Sequence, residues 1–117
     1  MEVNVSWYQV NDMAAAKKFY GDVLGLKKTF EMEGWCEFSH AEGSPSIGLN
    51  QLREGDDERG ATVVLRVDDL ARVQKELAAK GVQFEGEIHE VPGAVRIATF
   101  RDPDGNRLQL CQVLMAQ

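Results

Sequence analysis

One order of elements can be read twice along this chain, and that repeat limits its fold more than any other feature. Val10-Asn11-Asp12 returns as Val67-Asp68-Asp69, and Ile47-Gly48-Leu49 returns as Leu108-Gln109-Leu110. Both matches fall at equivalent places in equivalent units. In the first unit, Glu2 to Val10 alternates as a strand and Asn11 or Asp12 caps a helix. Ala16, Phe19, Tyr20, Val23 and Leu24 form a single apolar stripe on that helix, and Gly25 ends it. Strands follow near Leu26–Glu33, Trp35–Ala41 and Ser46–Leu52. In the second unit, Ala61–Val67 is a strand, Asp68 or Asp69 caps a helix with Leu70, Val73 and Leu77 inward, and Gly81 stops it. Strands near Val82–Glu90, Ala94–Arg101 and Asn106–Leu114 complete the unit.

The order is βαβββ, twice. A single such unit leaves one sheet face and its edges uncovered, so two must pack together. The expected class is therefore α+β, one domain over residues 1–117. Module 1 covers about residues 1–52 and module 2 about residues 61–117. The charged, glycine-bounded run Arg53-Glu54-Gly55-Asp56-Asp57-Glu58-Arg59-Gly60 lies between them as a mobile linker.

A second local signal fixes a register. In Asp102-Pro103-Asp104-Gly105, Asp102 can bond its own backbone, Pro103 presets φ at the first corner, and Gly105 frees the exit. Alternation on either side makes this the turn of a hairpin. The outgoing strand sends Leu108 and Leu110 to one face and Gln109 and Cys111 to the other.

Composition narrows the partners. A formal charge of −6 argues against nucleic acid and anionic membranes. No apolar run approaches a bilayer span, and the Met-Glu-Val-Asn-Val start lacks the marks of a signal peptide, so a cytoplasmic location is expected. Cys36 and Cys111 have no metal-binding spacing and are expected as free thiols.

The chain resembles the vicinal oxygen chelate superfamily, which includes glyoxalase I, extradiol dioxygenases, methylmalonyl-CoA epimerase and bleomycin-resistance binding proteins. The residues that carry the resemblance are Val10-Asn11-Asp12, then Phe19-Tyr20-Gly21-Asp22-Val23-Leu24-Gly25-Leu26, then Asp102-Pro103-Asp104-Gly105-Asn106-Arg107-Leu108-Gln109-Leu110. It implies paired βαβββ modules whose mixed sheets curl around a cavity, with helices outside. It also implies a homodimer and, in metal-dependent members, a divalent ion held by His, Glu or Gln from four strands. Those four positions fall here at Val5, Gly48, Thr62 and Gln109. Val and Gly offer no side-chain donor, and Thr and Gln are weak neutral ones, so no metal or other cofactor is expected. The alternative is a divalent ion at a non-standard site in which Glu85, Glu87 and His89 share one face of a regular strand.

By parity, the face carrying the former ligand positions also holds Trp7, Gln9, Asn50, Arg66, Cys111, Val64 and Val113. Trp7, Gln9, Asn50, Arg66, Gln109 and Cys111 are the candidate ligand-binding residues: Trp7 to stack on a flat ligand, Arg66 to pair with an anionic group. Gly48 is expected to enlarge the cavity. Trp35, Glu37 and Ser39 alternate toward its mouth. No nucleophile–base set is recognisable, and Glu37 and His40 fall on opposite faces, so catalytic residues are unassigned. The reading is a metal-free protein that binds or sequesters a small molecule. Two alternatives stay open: a glyoxalase-like lyase, isomerase or dioxygenase with an altered metal site, and a protein-binding module.

Overall fold

The computed structural model of this chain describes residues 1–55 and 60–114. Contacts divide the chain into two compact units: Asn4–Ala61, and Thr62 onward together with Met1–Val3. The centre of the expected linker, residues 56–59, lies outside the described residues.

The first unit contains β1 (Glu2–Val10, whose first two residues group with the second unit), α1 (Met13–Lys18), a π-helical turn (Phe19–Val23), β2 (Lys27–Met32), β3 (Trp35–Ser39) and β4 (Ser46–Gln51). Its strands lie in the order β2-β3-β4-β1. β1 runs parallel to β4, as a helical crossover requires, while β3 is antiparallel to both β4 and β2. The second unit repeats this plan with β5 (Thr62–Arg66), α2 (Leu70–Ala79), β6 (Phe84–Val91), β7 (Val95–Arg101) and β8 (Arg107–Val113). The order is β6-β7-β8-β5, with β5 parallel to β8 and the other pairs antiparallel.

The repeat extends to side-chain hydrogen bonds. Asp12 Oδ1 accepts from the Ala15 N–H at 3.1 Å, and Asp69 Oδ1 accepts from the Arg72 N–H at 3.1 Å. Each helix therefore starts on an aspartate N-cap. A glutamine from the last strand of each unit completes the start: Gln51 Oε1 accepts from the Met13 N–H at 3.2 Å and Gln112 Oε1 from the Leu70 N–H at 2.9 Å. These bonds satisfy first-turn amides that have no partner within the helix. They also tie each helix to the far end of its own unit.

One face of each sheet is buried against its helix. In the first unit Cys36, Phe38 and Leu49 are buried, with Val10, Met13, Ala16, Tyr20, Leu26 and Ile47 packed on them. In the second, Val67, Leu70, Ala98, Phe100 and Leu110 are buried beneath Val73, Leu77 and Phe84, among others. The inward residues expected for α2 pack as expected, but the stripe expected for the first helix does not survive intact. The chain switches to a π-helical turn, in which the Leu24 N–H reaches back to the Phe19 carbonyl at 2.9 Å. That wider step turns Val23 and Leu24, at its far end, away from the sheet, while Phe19 at its start already points outward. Phe19, Val23 and Leu24 are 48%, 66% and 51% exposed, and only Ala16 and Tyr20 of the stripe reach the core.

The Asp102 turn forms as expected. Asp102 Oδ1 accepts from the N–H groups of Asp104 and Asn106, both at 2.9 Å, and Oδ2 accepts from the Asn106 side-chain amide at 2.9 Å. The Asn106 bonds, with help from Asp104 and Gly105, hold the Asp102 carboxyl below its usual range. Gly105 leaves the turn at φ 91°. On the outside of the first unit, Lys17 and Lys28 clamp Glu31 at 2.6 and 2.7 Å, and their hydrogen bonds pull its carboxyl down to about 2. Among the described residues, no helix is long and apolar enough to cross a membrane.

Candidate functional site

Because strand side chains alternate, the face of each sheet opposite its helix is filled by the residues between the core positions. In the first unit this face holds Val5, Trp7 and Gln9 on β1, Ser46, Gly48 and Asn50 on β4, and Trp35 and Glu37 on β3. The register sets Trp7 beside Gly48 and Gln9 beside Asn50, with Glu37 and Trp35 on the other side of the same two β4 residues. Three of the sequence-derived candidates, Trp7, Gln9 and Asn50, thus share one patch.

Two indoles dominate that patch. Trp7 and Trp35 meet edge to face, ring centroids 5.8 Å apart and planes inclined at 69°. Trp35 Nε1 donates to Glu37 Oε2 at 2.8 Å, and the Ser46 hydroxyl donates to Glu37 Oε1 at 3.1 Å. The carboxylate is therefore held by one donor on each oxygen. Nearby, Gln9 Oε1 is buried without a hydrogen-bond partner. Ser39, expected with Trp35 and Glu37, is buried and donates to the Pro45 carbonyl at 3.0 Å.

The expectation that Gly48 opens space is corrected here. A Cβ at position 48 would meet Trp35 Cη2 and Cζ2 at 2.6 Å and Trp7 Cβ at 3.0 Å. The volume left by the absent side chain is occupied by the Trp35 ring. Parity put Trp35 on the correct face, but the reach of its side chain across to β4 has no signature in sequence spacing.

The second unit presents Thr62, Val64 and Arg66 on β5, Arg107, Gln109 and Cys111 on β8, and Ile97 and Thr99 on β7. Val64 pairs with Gln109 and Arg66 with Cys111, while Thr99 and Ile97 flank the same two β8 residues from β7. The candidates Arg66, Gln109 and Cys111 thus share one face of this unit. Gln109 Nε2 donates to Thr99 Oγ1 at 3.2 Å. The fully buried Thr62 hydroxyl accepts from Arg107 Nε at 2.6 Å. The four positions where the resemblance puts metal ligands are therefore a buried valine, a glycine covered by an indole, a threonine bonded to a guanidinium, and a glutamine bonded to a threonine.

The row Glu85, Glu87 and His89 is not regular. The β6–β7 register shifts between Glu85 and His89, where Gly86 has φ 64°. Glu85 faces Thr99 and His89 faces Ile97, while Glu87 falls within the irregularity, and Glu85 is paired to Arg101 Nε at 2.6 Å. Among the described residues, no group of three or more His, Cys, Asp or Glu side chains converges as a metal site would need. Cys36 and Cys111 are both buried free thiols, and burial pushes the Cys36 thiol upward.

Comparison with known proteins agrees with this architecture. Over 120 residues the chain is 28% identical to the uncharacterized protein YraH of Bacillus subtilis (strain 168), covering 90% of this chain and 93% of that protein. Methylmalonyl-CoA epimerase from Mycobacterium tuberculosis superposes with a TM-score of 0.79 at 23% identity, over 99% of this chain and 89% of that one. The Mn(II)-bound glyoxalase from Novosphingobium aromaticivorans superposes with a TM-score of 0.69 at 24% identity, over 97% of this chain and 39% of that one. At these identities the structural likeness is one of fold, α+β with paired βαβββ modules. The family model described as Glyoxalase/Bleomycin resistance protein/Dioxygenase superfamily matches residues 3–110, and the chain belongs to that superfamily.

Proposed function

We propose that this chain is a small-molecule-binding member of its superfamily that works without the divalent ion used by metal-dependent relatives. The observation that carries this reading is the Trp35 ring lying over Gly48. A divalent ion needs several convergent oxygen, nitrogen or thiolate donors, and carboxylate or imidazole among them. Val5 and Gly48 supply no donor, the Thr62 hydroxyl is bonded to Arg107, and Gln109 is a single neutral group. These residues do not fit the ion. What stands in their place is aromatic surface beside a few polar groups, the usual lining of a site that binds organic compounds. On this reading the ligand-contacting candidates are Trp7, Gln9 and Asn50 on the sheet face of the first unit and Arg66, Gln109 and Cys111 on that of the second, each set taken by itself.

The test is elemental analysis of the purified full chain, followed by thermal shift with added manganese, nickel and zinc. The reading expects no stoichiometric divalent ion and no metal-induced rise in Tm. A stoichiometric ion, or metal-dependent turnover in hemithioacetal, epimerase or catechol assays, would falsify it and favour an enzyme with an altered site. We further propose a cytoplasmic homodimer; a monomer on sizing chromatography at micromolar concentration removes the dimer.

A further inference from the structure

The patch on the first unit contains a charge that its neighbours leave unneutralised. Glu37 is partly buried, and both of its oxygens accept from neutral donors, the Trp35 indole N–H and the Ser46 hydroxyl. None of the ion pairs among the described residues involves Glu37, although Glu31, Glu85 and Glu90 each have a cationic partner. The two neutral bonds fix where the carboxylate points without cancelling its charge. Beside it stand two indole rings in edge-to-face contact. An aromatic face attracts a cation through its quadrupole, and a fixed, partly desolvated carboxylate attracts one more strongly than an exposed carboxylate does. Gln9 Oε1, buried and unpartnered two residues from Trp7, adds an acceptor.

We infer that the Trp7–Trp35–Glu37 patch selects ligands bearing an organic cation, such as a protonated amine next to an aromatic or alkyl group. This rests on the reading of the face as a small-molecule site and adds the ligand's charge. The chain's net charge of −6 acts in the same direction, since it concentrates cations near the surface.

The chain has two tryptophans, Trp7 and Trp35, so the two indole N–H signals of uniformly 15N-labelled protein report on this patch alone. Phenethylammonium, 2-phenylethanol and 3-phenylpropionate share a ring and a two-carbon arm and differ in head-group charge. The expected order of affinity at the Trp35 signal is ammonium, alcohol, carboxylate, with the ammonium ahead of the alcohol by roughly tenfold. In Glu37→Gln the ammonium-to-alcohol ratio falls toward one. Should that variant fail to fold, added salt in the parent chain gives the same reading, because it erodes the ammonium's advantage and leaves the alcohol unaffected. Equal binding of the three probes, a ratio that survives Glu37→Gln or salt, or no shift at Trp35 overturns the inference. Equal binding removes only the ligand class, whereas a stoichiometric divalent ion in the purified protein removes the underlying metal-free reading.

Discussion

The ring of Trp35 stands where a side chain on Gly48 would begin, 2.6 Å from the position of its Cβ. Gly48 has an ordinary strand backbone, so the constraint on this residue is the neighbouring indole and not φ. Gly48→Ala must therefore displace Trp35, and with it the Glu37 hydrogen bond and the contact with Trp7. The expected cost is about 1–3 kcal/mol, typical of overpacking a filled site. Urea unfolding measures it, and Trp35→Ala in the same chain should make the added methyl group nearly neutral. Equal costs in the two backgrounds would show that the indole is not the obstacle.

The paired glutamines give a second expectation. Gln112→Ala removes one acceptor from the start of α2 and should cost about 1 kcal/mol. Gln51→Ala should cost more, because Gln51 Nε2 also donates to the carbonyls of Val10, Asn11 and Leu52. The two residues share no bonding partner, so the double variant should sum the single costs within about 0.5 kcal/mol. Chemical denaturation of the four chains tests both the ranking and the sum.

Thr62→Val keeps the shape of a fully buried side chain and deletes its hydroxyl. The Arg107 guanidinium loses an acceptor at 2.6 Å, and hydrogen bonds to charged groups contribute about 1.5–3 kcal/mol. A stability loss in that range by urea titration is expected. An unchanged midpoint would mean that Arg107 finds another acceptor at no cost.

Acid should act on the outer clamp. The Glu31 carboxyl lies at about 2 in the folded chain against an ordinary 4.5, chiefly through its bonds to Lys17 and then Lys28. A depressed folded value means that the contribution is complete above 4.5 and is lost as pH falls from there toward 2. Stability should decline across that window, less steeply in Glu31→Gln, and the decline should weaken in high salt because all three groups are exposed. The Glu31 side-chain carbon shift, followed by NMR, should titrate near the low end in the parent chain and move up in Lys17→Ala.

Much of this fold was legible because it rests on local chemistry. Asp12 and Asp69 cap helices as their residue type predicts, the Asp102 turn closes as its spacing predicts, and strand parity sorts Leu49 and Leu110 from Gly48 and Gln109. The failures share a cause. The π-helical turn at Phe19–Val23 replaces the expected continuous helix, and its wider step is invisible to a fixed helical period. The β6–β7 pairing breaks between Glu85 and His89 with Glu87 inside the break, and a strand's parity holds only while its pairing is regular. The occupation of Gly48 by Trp35 depends on the reach of a large side chain across neighbouring strands, which neither propensity nor spacing encodes. Position was readable there, but contact was not.

The two faces of each sheet treat the duplication differently. Toward the helices the modules keep identical residues at several equivalent positions: Val10 with Val67, Phe38 with Phe100, Leu49 with Leu110, Gln51 with Gln112. On the opposite faces they part, with Gly48 against Gln109, Glu37 against Thr99, Ser46 against Arg107 and Trp35 against Ile97. For anyone re-engineering this chain, that contrast separates what to leave alone from what to randomise. The helix-facing set is the chassis. The opposite set is the place to vary, with two pairs treated as units: Gly48 with Trp35, since any larger residue at 48 needs a smaller one at 35, and Arg107 with the buried Thr62 that it bonds.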